Sequence, residues 1–214
     1  MMRWCISFAA LGLVFVEPCF ARPVSYPGGW TVIEETDRQA TSLWVHYTLT
    51  PKWSLGLRSE WDRQQDYLFN GAQVTYLAKR WFGENYQANV YGIGGIGFAH
   101  AVGQGESQRN AAGFIGVLAD WETRRLFASY RTRYLEAGRV GDNILQSVRL
   151  GLAPYEGDTG DLHTWLMIEL DHRPRNDDKL GVTPLVRFLK GAALLELGWS
   201  ITDNEPLVNL TYRF

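Results

Sequence analysis

The last eight residues of this 214-residue chain, Leu207 to Phe214 (LVNLTYRF), alternate apolar and polar side chains without a break and stop on an aromatic. Val208, Leu210, Tyr212 and Phe214 share one face, and Asn209, Thr211 and Arg213 share the other. A period of two is that of a half-buried β-strand, whose successive side chains point to opposite sides of the sheet. The closing segment therefore predicts a strand with one greasy face and one wet face.

At the other end, Arg3 is followed by an apolar run from Ile6 to Val16 and then by Pro18 and Cys19-Phe20-Ala21. This order predicts a secretory signal peptide over 1–21, cleaved after Ala21, and a single domain over 22–214. The apolar run has 11 residues, short of the roughly 20 that a membrane-spanning helix needs. Cys5 and Cys19 both lie in the removed segment, so the mature chain can hold neither a disulfide framework nor a cysteine-ligated zinc. The net charge is −2 and stays there, because Arg3 and Glu17 leave together; no basic field points to nucleic acid as a partner. No later segment has 18 consecutive apolar residues, so insertion into a membrane would have to be as a closed barrel.

From Thr41 onward the alternation of the closing segment recurs, with turn-forming residues between the repeats. Leu43, Val45 and Tyr47 share a face. After Pro51-Lys52, Trp53, Leu55, Leu57 and Trp61 oppose Arg58, Glu60 and Asp62. Ala72, Val74, Tyr76 and Ala78 form the next face, followed by a turn at Trp81 to Asn85 and then by Ala88, Val90, Ile96 and Phe98 on a strand with a GIGGIG centre. With no helical pattern after them, those glycines mark tight bending or close packing and not a phosphate loop. Phe114 and Leu118 follow a polar loop, and Leu126, Ala128, Tyr130 and Tyr134 oppose Arg131 and Arg133. Ile144, Val148, Leu150 and Leu152 carry Arg149 on the other side, and Leu166, Ile168 and Leu170 oppose His163, Trp165, Met167, Glu169 and Asp171.

Two stretches read two ways. Trp30 to Glu35 is a short strand or a loop, and 182–201 is a pair of strands turning at Lys190-Gly191 or, from Ala192 to Leu197, a helix. Counting strands throughout gives twelve; the other choices give nine. Bacterial barrels of the outer membrane have an even count, which predicts an all-β transmembrane antiparallel barrel of twelve strands, with ten as the alternative.

The period alone does not say which face meets lipid. Across the eleven strands after the first, about fifty apolar-face positions carry one charge, Asp120, where the 21% charged composition would place about ten; a Lys or Arg at mid-bilayer on such a face costs about 2–4 kcal/mol. Nine Trp and ten Tyr are many, and Tyr47, Trp53, Trp61, Tyr86, Phe98, Tyr134, Trp199, Tyr212 and Phe214 lie on the apolar faces, mostly near strand ends. They read as interfacial girdles or as core packing.

A terminal strand ending in Phe resembles the outer-membrane barrels of Gram-negative bacteria, where Tyr212 and Phe214 would serve as an assembly signal read by the barrel-assembly machinery. The motifs YPGGWT, GAQVTYLAKRW, QANVYGIGGIG and APYEGDTGDLHTWLM are similar to an uncharacterised proteobacterial family of outer-membrane proteins sometimes encoded beside heavy-metal efflux systems. The resemblance implies an outer-membrane location, lipids as partners and efflux-system components as further partners. It brings no catalytic, metal-binding or cofactor-binding residues.

Three constellations bear on chemistry. Barrel lipid hydrolases pair a His with a Ser; His46, His100, His163 and His172 lack a Ser two residues away with a third orienting group. His163, Met167, Glu169 and Asp171, with His172 adjoining, share one side of a strand, but same-face neighbours stand nearly 7 Å apart, so one ion would need ligands from other strands. The third is collective: Arg58, Lys79, Arg131, Arg133, Arg149, Arg187 and Arg213 face Glu60, Asp62, Glu169, Asp171 and Glu196 on the predicted inner side. That set reads as an ion-pair network filling the barrel or as a slightly cation-repelling narrow pore. The expectation is a non-enzymatic barrel without cofactor, with Trp44, Phe127 and Trp165 adding bulk to a mostly occluded lumen. The competing readings are a soluble secreted β-barrel holding a small apolar ligand and an outer-membrane lipid hydrolase.

Overall fold

Alternating side chains can be satisfied on both faces only if the sheet has an inside and an outside, and the computed structural model closes it completely. The structure describes residue 24 and residues 26–102, 109–158, 160–175 and 177–214; the expected signal peptide over 1–21 lies outside them. The strands are β1 (Trp30–Thr36), β2 (Ala40–Thr50), β3 (Trp53–Asp62), β4 (Tyr67–Phe82), β5 (Gln87–Ala101), β6 (Arg109–Glu122), β7 (Leu126–Glu136), β8 (Asp142–Leu152), β9 (His163–Arg173), β10 (Asp177–Lys190), β11 (Ala193–Ser200) and β12 (Glu205–Arg213). Each pairs antiparallel with its sequence neighbours, and β1 closes on β12 from Thr31↔Arg213 to Thr36↔Val208. The Phe214 amide extends this seam to the Trp30 carbonyl at 3.0 Å.

All twelve expected strands are present. The 182–201 stretch is a strand pair turning at Gly191, whose φ of 56° favours glycine. Pro184 is accommodated on the exposed outer side of β10. Side-chain oxygens fix several reversals: Asp37 accepts from the Gln39 and Ala40 amides at 2.8 Å, Asp62 from Gln64 and Gln65 at 3.0 Å, and Thr123 from Arg125 and Leu126. Gly95, at the centre of the GIGGIG strand, is a close-packing site, since a Cβ there would sit 2.3 Å from the Phe114 ring.

The barrel has a terminal end, where β1 begins and β12 finishes, and a far end marked by the β1–β2 turn. Its outer wall is apolar: Leu57 is 70% exposed and Leu150 is 51%. Two assignments made from sequence are corrected. On β6 the exposed outer residues are Ile115, Val117 and Trp121, so Phe114, Leu118 and Asp120 point inward; both faces of this strand are apolar, and the period did not distinguish them. On β4, the register slips between Leu77 and Lys79. This bulge reverses the parity, sending Lys79 outside over the Trp81 ring and Arg80 inside to Asn89.

The outward aromatics are unequally distributed. The tilted pairs Trp30–Tyr47, Trp53–Tyr76 and Tyr86–Trp121 and the edge-to-face pair Tyr212–Phe214 all lie at the terminal end. The far end has the more dispersed Trp61, Phe98, Tyr134 and Trp199.

Candidate functional site: the braced lumen

The inward positions of neighbouring strands carry charges of both signs, and closure brings them within reach across the interior. Glu60 on β3 is 1% exposed and accepts a two-pronged contact from Arg133 on β7, one prong at 2.5 Å, and another from Arg58 at 2.7 Å. Arg58 also donates to Ser42 at 3.1 Å. Glu196 on β11 gathers Arg149 at 2.8 Å, Arg187 at 2.7 Å and the Asn209 amide at 2.6 Å, while Arg149 turns its Nε to Glu169.

The longest brace is Arg131 on β7 to Glu35 on β1, at 3.1 Å. These strands stand opposite each other in the ring of twelve. A round barrel of this size is about 20–25 Å across, whereas an extended arginine and glutamate in contact span only about 15 Å. The barrel is therefore flattened along the line joining β1 and β7.

At the far end the β1–β2 turn folds over the opening. Arg38 pairs with Asp171 at 3.0 Å and with Asp203 in the β11–β12 turn at 2.5 Å, Arg173 reaches Asp37, and the Asn143 amide donates to Asp62 at 3.0 Å. Burial alone would push the Asp37 carboxyl up, but Arg173 beside it and the Gln39 and Ala40 amides outweigh burial and hold it below the ordinary carboxylate range. Below this lid, Tyr67, Phe69, Phe114 and Leu135 form an apolar cluster, with Phe69 and Phe114 edge to face at 5.6 Å.

At the terminal end one residue ahead of β1 is tucked inward. Val24 is 2% exposed and packs with Leu77 and Tyr91, with Leu118 against them. His46 is fully buried against Trp44, ring centroids 4.3 Å apart, and Arg213 lies buried on β12, on the other side of β1. Between these closures remains a cavity of about 200 Å³, room for on the order of ten waters. Six arginines (58, 131, 133, 149, 173, 187) and six carboxylates (35, 37, 60, 120, 122, 196) line it, so its formal charge balances.

Of the residues singled out from sequence, Arg58, Glu60, Arg131, Arg133, Arg149, Glu169, Asp171, Arg187 and Glu196 meet in this network, Asp62 joins through Asn143, Arg213 lies buried at the terminal end, and Lys79 is outside. Sequence reasoning missed Glu35, Asp37, Arg38, Arg173 and Asp203. Glu35 and Arg173 carried a usable signal, since each continues the inward parity of its strand; the turn residues carried none. His163, Met167, Glu169 and Asp171 share the inner face of β9, but Glu169 and Asp171 are engaged by arginines, and no cluster of three potential ligands forms among the described residues.

No family model matches the chain, and no curated protein matches it in sequence. Among solved structures it is similar to a KdgM porin, at 11% identity and a TM-score of 0.50, over 87% of this chain and 98% of that one. A KdgM porin in complex with disordered oligogalacturonate is similar over the same spans, at 11% identity and a TM-score of 0.48. At that identity the likeness is one of fold, a closed porin-like β-barrel.

Proposed function

We propose that this chain is an integral outer-membrane β-barrel without enzymatic activity, whose lumen is a narrow pore held shut by transluminal arginine–carboxylate braces. The observation that carries the proposal is the inversion of its surfaces: ion pairs inside, Leu, Ile, Val and aromatics outside. Described outward charges such as Glu34, Lys79, Glu136 and Lys190 lie near strand ends, where a bilayer tolerates them at little cost. The closed β1–β12 seam leaves no edge exposed to lipid. Outer-membrane lipids and the assembly machinery that reads Tyr212 and Phe214 are the partners of this reading. An accessory place beside a metal-efflux system rests on the sequence resemblance.

Fractionation tests the location: mature protein that remains in the periplasm or medium without detergent refutes it. Planar-bilayer recording tests the lumen. We expect almost no conductance from the wild type and discrete steps after Arg131→Ala with Arg133→Ala, which removes both braces from β7. Large, stable steps from the wild type would overturn the closed-lumen reading.

A further inference from the structure

On the outer wall, small side chains on β4 and β6 open a shallow groove. Ala72, Ala111 and Gly113 form its floor, and Ile96 and Ile115, 76% and 69% exposed, stand as ridges beside it. At the far-end mouth two guanidiniums lie against rings that line the same groove. Arg109 sits 4.1 Å from the centre of the Phe98 ring and Arg175 sits 5.5 Å from that of Tyr134. Arg109 belongs to the outward parity of β6, two residues above Ala111, and forms no ion pair among the described residues. Two acids are near. Glu136 accepts from the Tyr134 hydroxyl and the Gly138 amide, and Asp142 pairs with Arg175.

A groove on this wall is reached from within the bilayer, so its occupant must be a membrane component. Its apolar floor suits an acyl chain. Guanidiniums are planar, weakly hydrated forks that grip phosphate oxygens bidentately, and at the membrane surface they hold anionic headgroups. We propose that this groove is a specific site for a phosphate-bearing lipid, with an acyl chain along Ala111 and Gly113 and the phosphate between Arg109 and Arg175. The inference rests on the membrane reading above. With both chain termini on the periplasmic side, the far end lies in the outer leaflet and the lipid is one of that leaflet.

The test uses mature full-length protein folded in detergent, loaded with a lipid A-type bisphosphorylated glycolipid, then washed and assayed for retained phosphate and by native mass spectrometry. A dephosphorylated form of the same glycolipid serves as the comparison. We expect retention by the wild type and about tenfold weaker retention (about 1.4 kcal/mol) in Arg109→Gln with Arg175→Gln. Ala111→Leu, which fills the floor and leaves both arginines, should lose the lipid as well. Heat-modifiable gel migration reports folding in every sample, so a failure of the barrel reading appears as unfolded or detergent-independent protein. Folded wild type without bound phosphate overturns the site, as does equal retention by all variants. Equal retention of the dephosphorylated lipid overturns the phosphate assignment. Dimers abolished by Ala111→Leu in the absence of lipid would show that a second barrel occupies the groove, and would also overturn the proposal.

Discussion

Replacing Glu60 by Ala isolates the best-buried brace. Glu60 and Arg133 are 1% and 7% exposed at their side chains, and the carboxylate is shared with Arg58. Removing one member of a buried pair usually costs about 3–5 kcal/mol, because the other charge is left uncompensated. Two features of the lumen lower the figure. The 200 Å³ cavity borders both Arg133 and Arg58, and Arg58 keeps Glu35 at 4.0 Å, so the orphaned guanidiniums gain water and one distant partner. We expect a loss of about 3 kcal/mol, read from urea unfolding of the detergent-folded barrel by tryptophan fluorescence. Adding Arg133→Ala should recover part of that loss, giving a coupling of at least about 1.5 kcal/mol in the double-mutant cycle. Glu35→Ala should cost only about 1 kcal/mol, since Glu35 and Arg131 are 27% and 23% exposed. A Glu60→Ala protein within about 0.5 kcal/mol of wild type, or a cycle additive within that margin, would refute the brace.

Other outcomes follow from the same geometry. Leu57→Arg places a charge on the most exposed part of the β3 wall and should lower stability in lipid vesicles by about 2–4 kcal/mol; a soluble barrel would accept it unchanged. Deleting Phe214, or replacing Tyr212 and Phe214 by Ser, should sharply reduce folded barrel in the outer membrane while export across the inner membrane continues, as measured by heat-modifiability in fractionated cells. The Asp37 carboxyl has its pKa depressed in the folded state, so its stabilising contribution is complete above the unfolded value of about 3.9 and is lost as pH falls through the lower folded value. Asp37→Asn should therefore be less stable than wild type at neutral pH and lose less stability on acidification below about pH 4, measured by unfolding midpoints.

Much of the architecture was readable because one physical rule, alternation, repeats along the chain. On β3 it sorted every inward charge from every outward leucine. It failed where a local irregularity or a second apolar face intervened. The bulge after Leu77 reversed Lys79 and Arg80, and β6 hides Phe114 and Leu118 inside the barrel, in apolar clusters at its two ends. The candidate site was legible only as a list of charges. Which arginine meets which carboxylate depends on ring position and flattening, so a pairing such as Arg131 with Glu35 carries no local signature, and Arg38 and Asp203 sit in turns with no period at all.

The uneven aromatic belts bear on how such a barrel would ride in its membrane. Paired Trp and Tyr rings at the terminal end would hold that rim at a fixed depth, because amphipathic rings resist movement into either water or hydrocarbon. The far rim has fewer anchors. In a bilayer of changing thickness, the terminal rim acts as a mooring and the mismatch is taken up at the other rim, beneath the turns whose ion pairs cover the lumen. Membrane thickness would thereby press on the lid and leave the moored rim at rest.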